Sequence, residues 1–416
     1  MKRAEHVLLF LTLLFLPTQL GRHFWPQFSY IYSLPIDYLS PTIYFWDLLV
    51  ILLMVIFIIR KKKVNKVAFN IFLVFILSQL ISLIRYTSND LNLGAGLVRA
   101  EQYLISGLFG VYIGSVKLSE IKSVIFWALG MAVTLETVLA VAQFLKGGTL
   151  GLWILGERSF SITTAGIAKF DFYGREFLRP YATFPHPNVL AAFMVTVLPL
   201  LSLSRPKTGG MFMVWSTVLG GVATILTVSR AALLAGFVEA VLLLRKKVLI
   251  WLALALIVVS PFIYTRFSAI FNFDSLSLIR REQLSEKALR MWISSPTLGV
   301  GLNNFIPAGS DQLLVGPSRF LQPVHNIFLL VLSETGVIGV IGVTLLIGYP
   351  INNIFKLFRL RTKNQEPRTF LLVWAMVIFL GMFDHYFLTL PQGQRMLFLV
   401  WGLSLSVLEF KNAKSS

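Results

Sequence analysis

Twelve apolar stretches run through the sequence, at about 6–20, 42–59, 67–84, 100–116, 123–144, 188–203, 210–227, 231–244, 248–263, 323–351, 369–383 and 396–410. Crossing the hydrocarbon core of a bilayer takes about 20 residues of helix. Inside it every backbone N–H and C=O must be satisfied within the segment, which leaves helices or a closed barrel. Blocks of this length and composition read as helices, so the chain is expected to be an all-α integral membrane protein of about 12 transmembrane helices. Charged residues are only 13% of its 416 positions, against about 25% in soluble domains, which excludes a soluble enzyme. The lack of cysteine excludes a disulfide scaffold. Heptads, low-complexity tracts and linkers are not legible, and neither are the paired broken helices of transporter repeats. One polytopic domain over residues 1–416 is expected.

The net charge of +18 raises the question of nucleic acid, and the placement of the cations answers it. With the N-terminus inside, the short inner segments hold 21 of the 37 Lys and Arg. The short outer segments hold five: Arg22, Arg85, Arg99, Arg230 and Arg395. That asymmetry is the positive-inside pattern, so Arg60-Lys61-Lys62-Lys63 marks topology, and nucleic acid is not an expected partner. The first stretch follows Lys2-Arg3 but lacks a small-residue cleavage site, Leu20-Gly21-Arg22-His23 being a poor one, so it is kept as a span. Both termini are then cytoplasmic.

Eleven cations remain, in two long outer loops at about 145–187 and 264–322. Loops beyond about 15 residues are usually functional or disordered, and the Trp, Phe and Leu here argue against disorder. The first ends Arg179-Pro180-Tyr181-Ala182-Thr183-Phe184-Pro185-His186-Pro187-Asn188, an extended run with too much proline for a helix. Asn188 can cap the helix that follows, and a helix N-terminus is a site for an anion. Arg230, in the tight turn Thr227-Val228-Ser229-Arg230-Ala231-Ala232, can snorkel at the membrane boundary or face an outer cavity as a fixed cation. In the second loop Ser275–Ile293 reads as an amphipathic interfacial helix, on which Glu286 and Arg290 can pair at i,i+4. The glycines of Pro296-Thr297-Leu298-Gly299-Val300-Gly301 fold the chain back. They lack the strand–turn–helix setting and Gly-Lys-Ser/Thr of a phosphate loop.

His325 opens a long span. A positive field keeps an imidazole neutral near pH 7, as a general base requires; His186 and His385 are its rivals. No metal-ligand spacing is legible, so neither metal nor cofactor is expected. A site that handles phosphate without metal needs arginine, whose fork pairs with phosphate oxygens. Arginines beside a histidine at the outer face suit a lipid-linked pyrophosphate.

Four stretches carry a family resemblance: Arg-x-x-Ala-Thr-Phe-x-x-Pro-Asn (179–188), Thr-x-Ser-Arg-Ala-Ala (227–232), Arg-x-Trp-x-x-x-Pro-x-Leu-Gly-Val-Gly-x-x-Asn-Phe (290–305) and His-Asn-x-Phe-Leu-x-x-x-x-Glu-x-Gly-x-x-Gly (325–339). In order and spacing they resemble the O-antigen ligase family of the O-antigen ligase/polymerase superfamily, over about 175–400, with Phe383-Asp384-His385-Tyr386 near the last span. The resemblance implies a GT-C-like membrane glycosyltransferase in the bacterial inner membrane, its active site on the periplasmic face between two long periplasmic loops. Such an enzyme transfers a glycan from undecaprenyl pyrophosphate to an acceptor hydroxyl, with inversion and without metal. His325 matches the catalytic histidine, Arg230 and Arg290 the pyrophosphate-binding arginines, and Arg179 a recurrent arginine of the preceding loop that is grouped with them as a third pyrophosphate-binding candidate. Asn326 and Glu334 match supporting positions, and Asn188 closes the first motif. The acceptor is lipid A-core, another glycan or a protein, so a ligase, a polysaccharide polymerase and a protein O-oligosaccharyltransferase all fit. A lipid-sugar transporter is the alternative from another class, with Asp47, Glu101, Glu136 or Glu239 as coupling groups.

Overall fold

The computed structural model describes the chain except residues 88–91, 205, 207, 244–256, 258–259, 261–263, 265–275, 312–320, 360–365 and 413–416. The expected span at 248–263 and parts of the second long loop therefore lie outside the described residues. The helices are α1 (Lys2–Leu14), α2 (Phe45–Ile59), α3 (Lys66–Leu80), α4 (Leu93–Ser115), α5 (Leu118–Lys146), α6 (Pro187–Ser204), α7 (Gly210–Leu226) and α8 (Arg230–Leu243). They continue with α9 (Leu276–Ser294), α10 (Phe305–Ala308), α11 (Ile327–Arg359), α12 (Glu366–Phe383), α13 (Tyr386–Thr389) and α14 (Pro391–Asn412). The described strands form three short antiparallel pairs: β1 (Gly21–His23) with β4 (Thr42–Tyr44), β2 (Tyr30–Ile31) with β3 (Leu34–Pro35), and β5 (Lys169–Phe172) with β6 (Arg175–Leu178).

The protein is thus an all-α membrane protein. Four stretches, Lys66–Ile84, Leu118–Lys146, Ile327–Arg359 and Glu366–Phe383, are long and apolar enough to cross a bilayer, and shorter apolar helices accompany them. The chain divides into two compact units, the first of residues 1–12, 21–121 and 276–416, the second of 13–20 and 122–275.

In the first unit α4 packs against α14, and α3 against α11. Lipid gives helices no hydrophobic drive to associate, so small residues that let backbones approach are favoured. At Gly402 a side chain would collide with the Gly110 carbonyl oxygen and Ile113 of α4, and Ser406 Oγ donates to Val116 O at 2.5 Å. Two arginines placed by the sequence in outer loops lie inside these helices instead. Arg99 in α4 and Arg395 in α14 are each 1% exposed. The sequence reading took each charge as a loop marker, but partners remote in sequence compensate both. Arg395 lies over the Tyr44 and Trp46 rings, 5.0 and 4.5 Å from their centroids, and 3.9 Å from Asp47 Oδ1.

The second unit packs α6 against α7 and α8. Its long loop is held by side chains: the Glu157 carboxylate accepts from the N–H of Leu150 and Leu152 (2.7 and 2.6 Å) and from Gln143 Nε2 (2.8 Å). Gln143 Oε1 accepts from the N–H of Tyr181 and Ala182. Two buried side chains thus satisfy backbone that carries no regular structure, which an ordered loop requires.

Candidate functional site

In the first unit the site begins with a broken helix. Within α11 Gly336 has φ 61° and ψ −162°, a conformation open in practice only to glycine. The break interrupts the helical hydrogen bonds on both sides of it. The glycine turn of the preceding loop supplies partners on both: Val300 N–H donates to Ser333 O and Gly301 N–H to Glu334 O, each at 2.8 Å, while Val337 N–H donates to Pro296 O at 3.0 Å. Any side chain on Gly336 would strike Thr297, and one on Gly299 (φ 66°) would strike the Glu334 backbone. The Pro-x-Leu-Gly-Val-Gly and Glu-x-Gly motifs are therefore two halves of one splice. The Glu334 carboxylate accepts from Phe305 N–H at 3.1 Å, which ties α10 to the same point.

This splice supports the upper part of α11, which begins beside His325. Asn326 caps the helix, its Oδ1 accepting from the N–H of Phe328 and Leu329 at 2.9 and 3.1 Å. Its Nδ2 donates to Met382 O at 3.2 Å, at the end of α12. His325 is thereby set against the turn between α12 and α13. Its Nδ1 lies 3.4 Å from Asp384 Oδ1, and its ring centroid is 5.0 Å from that of His385. Asp384 Oδ1 also accepts from His385 N–H at 2.9 Å. Burial alone would raise the Asp384 carboxyl, but the hydrogen bond from His325 and the positive charge of Arg281 work against it and hold it well below the usual range. Burial pushes His385 down to about 3, so its imidazole is neutral. A carboxylate on one ring nitrogen orients an imidazole and fixes which nitrogen carries its proton.

Around this pair stand side chains that hold backbone. Arg99 donates to Leu388 O in α13 and to Asn303 Oδ1, both at 2.9 Å. Arg281 donates to Phe383 O at 2.6 Å. Lys287, buried on α9, donates to Gly309 O. Arg290 behaves differently: it pairs with Glu286 at 2.5 Å, and both side chains are more than half exposed. The i,i+4 pair expected from the sequence is present.

In the second unit Arg179 is 6% exposed. Its Nε donates to Thr227 O at 2.6 Å and one terminal nitrogen to Asn188 Oδ1 at 2.7 Å. Arg179 therefore fastens the start of α6 to the turn that leads into α8. Asn188 gives its oxygen to Arg179, whereas a capping role was open to it, and His186 Nδ1 accepts from Asn188 N–H at 3.1 Å. Val228 turns with φ 49°, and Arg230, partly buried, is the first residue of α8. Glu136 accepts from the Thr183 hydroxyl and N–H at 2.7 and 3.0 Å, a structural use of one carboxylate named for ion coupling.

Arg290, His325, Asn326 and Glu334 thus fall in the first unit, and Arg179, Asn188 and Arg230 in the second. Asp384 was missed as a partner for His325. Its signal was the motif Phe-Asp-His-Tyr, quoted above only as part of a resemblance. The fold also assembles what the spacing did not show. Among the described residues, His325, Asp384 and His385 are the one group of three whose ligand atoms lie within 4.8 Å of one another.

A model of the O-antigen ligase family matches residues 215–344, a stretch that holds Arg230, Arg290, His325 and both halves of the splice. No curated protein matches the chain. Over residues 215–344 the chain is thus similar to the O-antigen ligase family.

Proposed function

We propose that the protein is a membrane glycosyltransferase that moves a glycan from undecaprenyl pyrophosphate to an acceptor hydroxyl, with inversion, at the periplasmic face of the bacterial inner membrane. A GT-C-like bundle of about 12 spans in one polytopic domain would serve it, with both termini cytoplasmic and two long periplasmic loops. The observation that carries the reading is His325, capped into place at the head of a family-matched helix with a buried carboxylate on its Nδ1.

With Nδ1–H directed at Asp384, the lone pair of His325 is on Nε2. The acceptor hydroxyl gives its proton to Nε2 as its oxygen attacks the anomeric carbon. The bond from that carbon to the pyrophosphate oxygen breaks, and its electron pair leaves with undecaprenyl pyrophosphate. Negative charge grows on that leaving group, and fixed cations lower the barrier there. Arg230 and Arg290 are proposed for this role, each able to grip a phosphate with two parallel N–H donors. Arg179 supports the turn that carries Arg230. Arginine meets the charge, so no metal or cofactor is invoked.

The test is direct. Purified protein in detergent, given lipid-linked glycan with lipid A-core, glycan or protein acceptors, is expected to release undecaprenyl pyrophosphate. Ion-coupled movement of the lipid-sugar in vesicles, with no release on any acceptor, would overturn the reading in favour of transport.

A further inference from the structure

One tautomer of His385 fits its two close contacts with Thr389. With the Thr389 hydroxyl proton on His385 O, 3.1 Å away, Oγ1 accepts from His385 Nδ1–H across 2.6 Å. The lone pair is then on Nε2, which lies 3.9 Å from Asp384 Oδ1 on a side chain only 4% exposed. His325 Nδ1 lies 3.4 Å from the same oxygen. A lone pair facing a carboxylate away from water is repulsive unless a cation lies between them.

The donor set selects the cation. Two imidazoles and one carboxylate suit zinc and its late first-row neighbours, whereas magnesium and calcium want cages of oxygen. Donors on a tetrahedral zinc stand about 3.4 Å apart. His325 and Asp384 already have that separation, and His385 Nε2 lies 3.9 Å from the same oxygen, so only that ring has to shift to complete the set. The contact from Nδ1–H to Thr389 is the outer support that a metal-binding histidine usually has. His325 is the more accessible ligand, its side chain 15% exposed, and it gives the ion a way in.

We propose that His325, Asp384 and His385 form an inhibitory site for a zinc-class divalent ion. Coordination through His325 Nδ1 moves the remaining ring proton to Nε2, the atom that must be bare to accept the acceptor's proton. No proton is gained or lost in that exchange of tautomers. Inhibition rests on the proposed transfer reaction, whereas binding stands on the donor geometry alone.

The experiment titrates metal-free, full-length protein in detergent with Co2+ and follows the visible bands of a four- or five-coordinate ion. With no cysteine in the chain, thiolate bands cannot intrude. One ion per chain is expected, displaced by Zn2+. Affinity should fall at least tenfold in His385→Gln and in His325→Ala, and also in Thr389→Val, which removes the support for the tautomer. Melting curves of the metal-free variants establish that each is folded. No Co2+ bands, or full affinity in folded His385→Gln and His325→Ala, overturns the site whatever the transfer assay shows. Co2+ binding as expected, with transfer unaffected by saturating Zn2+, keeps the site and removes His325 as the base.

Discussion

Arg179 and Arg290 entered the sequence reading side by side, as two cations for one pyrophosphate, and the structure gives them opposite surroundings. Arg179 is 6% exposed and donates to the Thr227 carbonyl and the Asn188 amide oxygen. Arg290 lies on the open face of α9 and meets only Glu286 in the described contacts, with both side chains well exposed. Desolvating a guanidinium is costly unless its N–H groups find acceptors, so a buried arginine that persists is anchoring something. An exposed pair contributes about 0.2–1 kcal/mol and can be exchanged for another anion at little cost. The difference separates side chains that hold backbone from side chains left at the surface, and the proposed function places His325 with those that act.

Substitutions can break that division. His325→Ala should lower transfer about 10²- to 10⁴-fold, the usual worth of a general base, while the melting temperature in detergent stays close to wild type. A loss of fold in step with activity would place His325 among the holders. Arg179→Ala should show the reverse, a stability loss of about 1–3 kcal/mol from two stranded acceptors, read as a lower melting temperature before any assay of transfer. Arg290→Lys should leave melting unchanged yet reduce transfer at least tenfold, because lysine offers a point charge where a fork is needed. Unchanged transfer in that variant would leave Arg290 as a surface ion pair. Glu286→Gln sharpens the same point with the smallest effect. It should move stability by less than about 0.5 kcal/mol and keep or modestly raise transfer, since it frees the arginine.

Helices were the legible part of the fold, because apolar blocks of bilayer length admit few other structures; α5, α7 and α12 begin and end within a few residues of their expected bounds. The buried charges were not legible. Arg99 finds its acceptors at Asn303 and Leu388, some two and three hundred residues on, and no local pattern announces such partners. The same distance hid Asp384 from His325. Conversely, Glu286 with Arg290 was readable, because the partner lies four residues away; capping was expected of Asn188, whereas the cap observed is Asn326. The glycine turn at Pro296–Gly301 could be seen, but the break it fills in α11 could not.

That splice also sets an order of events. Residues 296–301 leave the ribosome before residues 333–338, so the loop must wait for a partner not yet made. When α11 arrives, Gly336 interrupts its internal ladder, and the backbone on each side of the break stays unpaired until the loop docks. Leaving such groups without partners in an apolar setting costs several kcal/mol each. Closing the splice is therefore tied to the arrival of α11, the helix that begins beside His325. A chain that has inserted its helices without docking that loop is complete in length but lacks the support beneath His325.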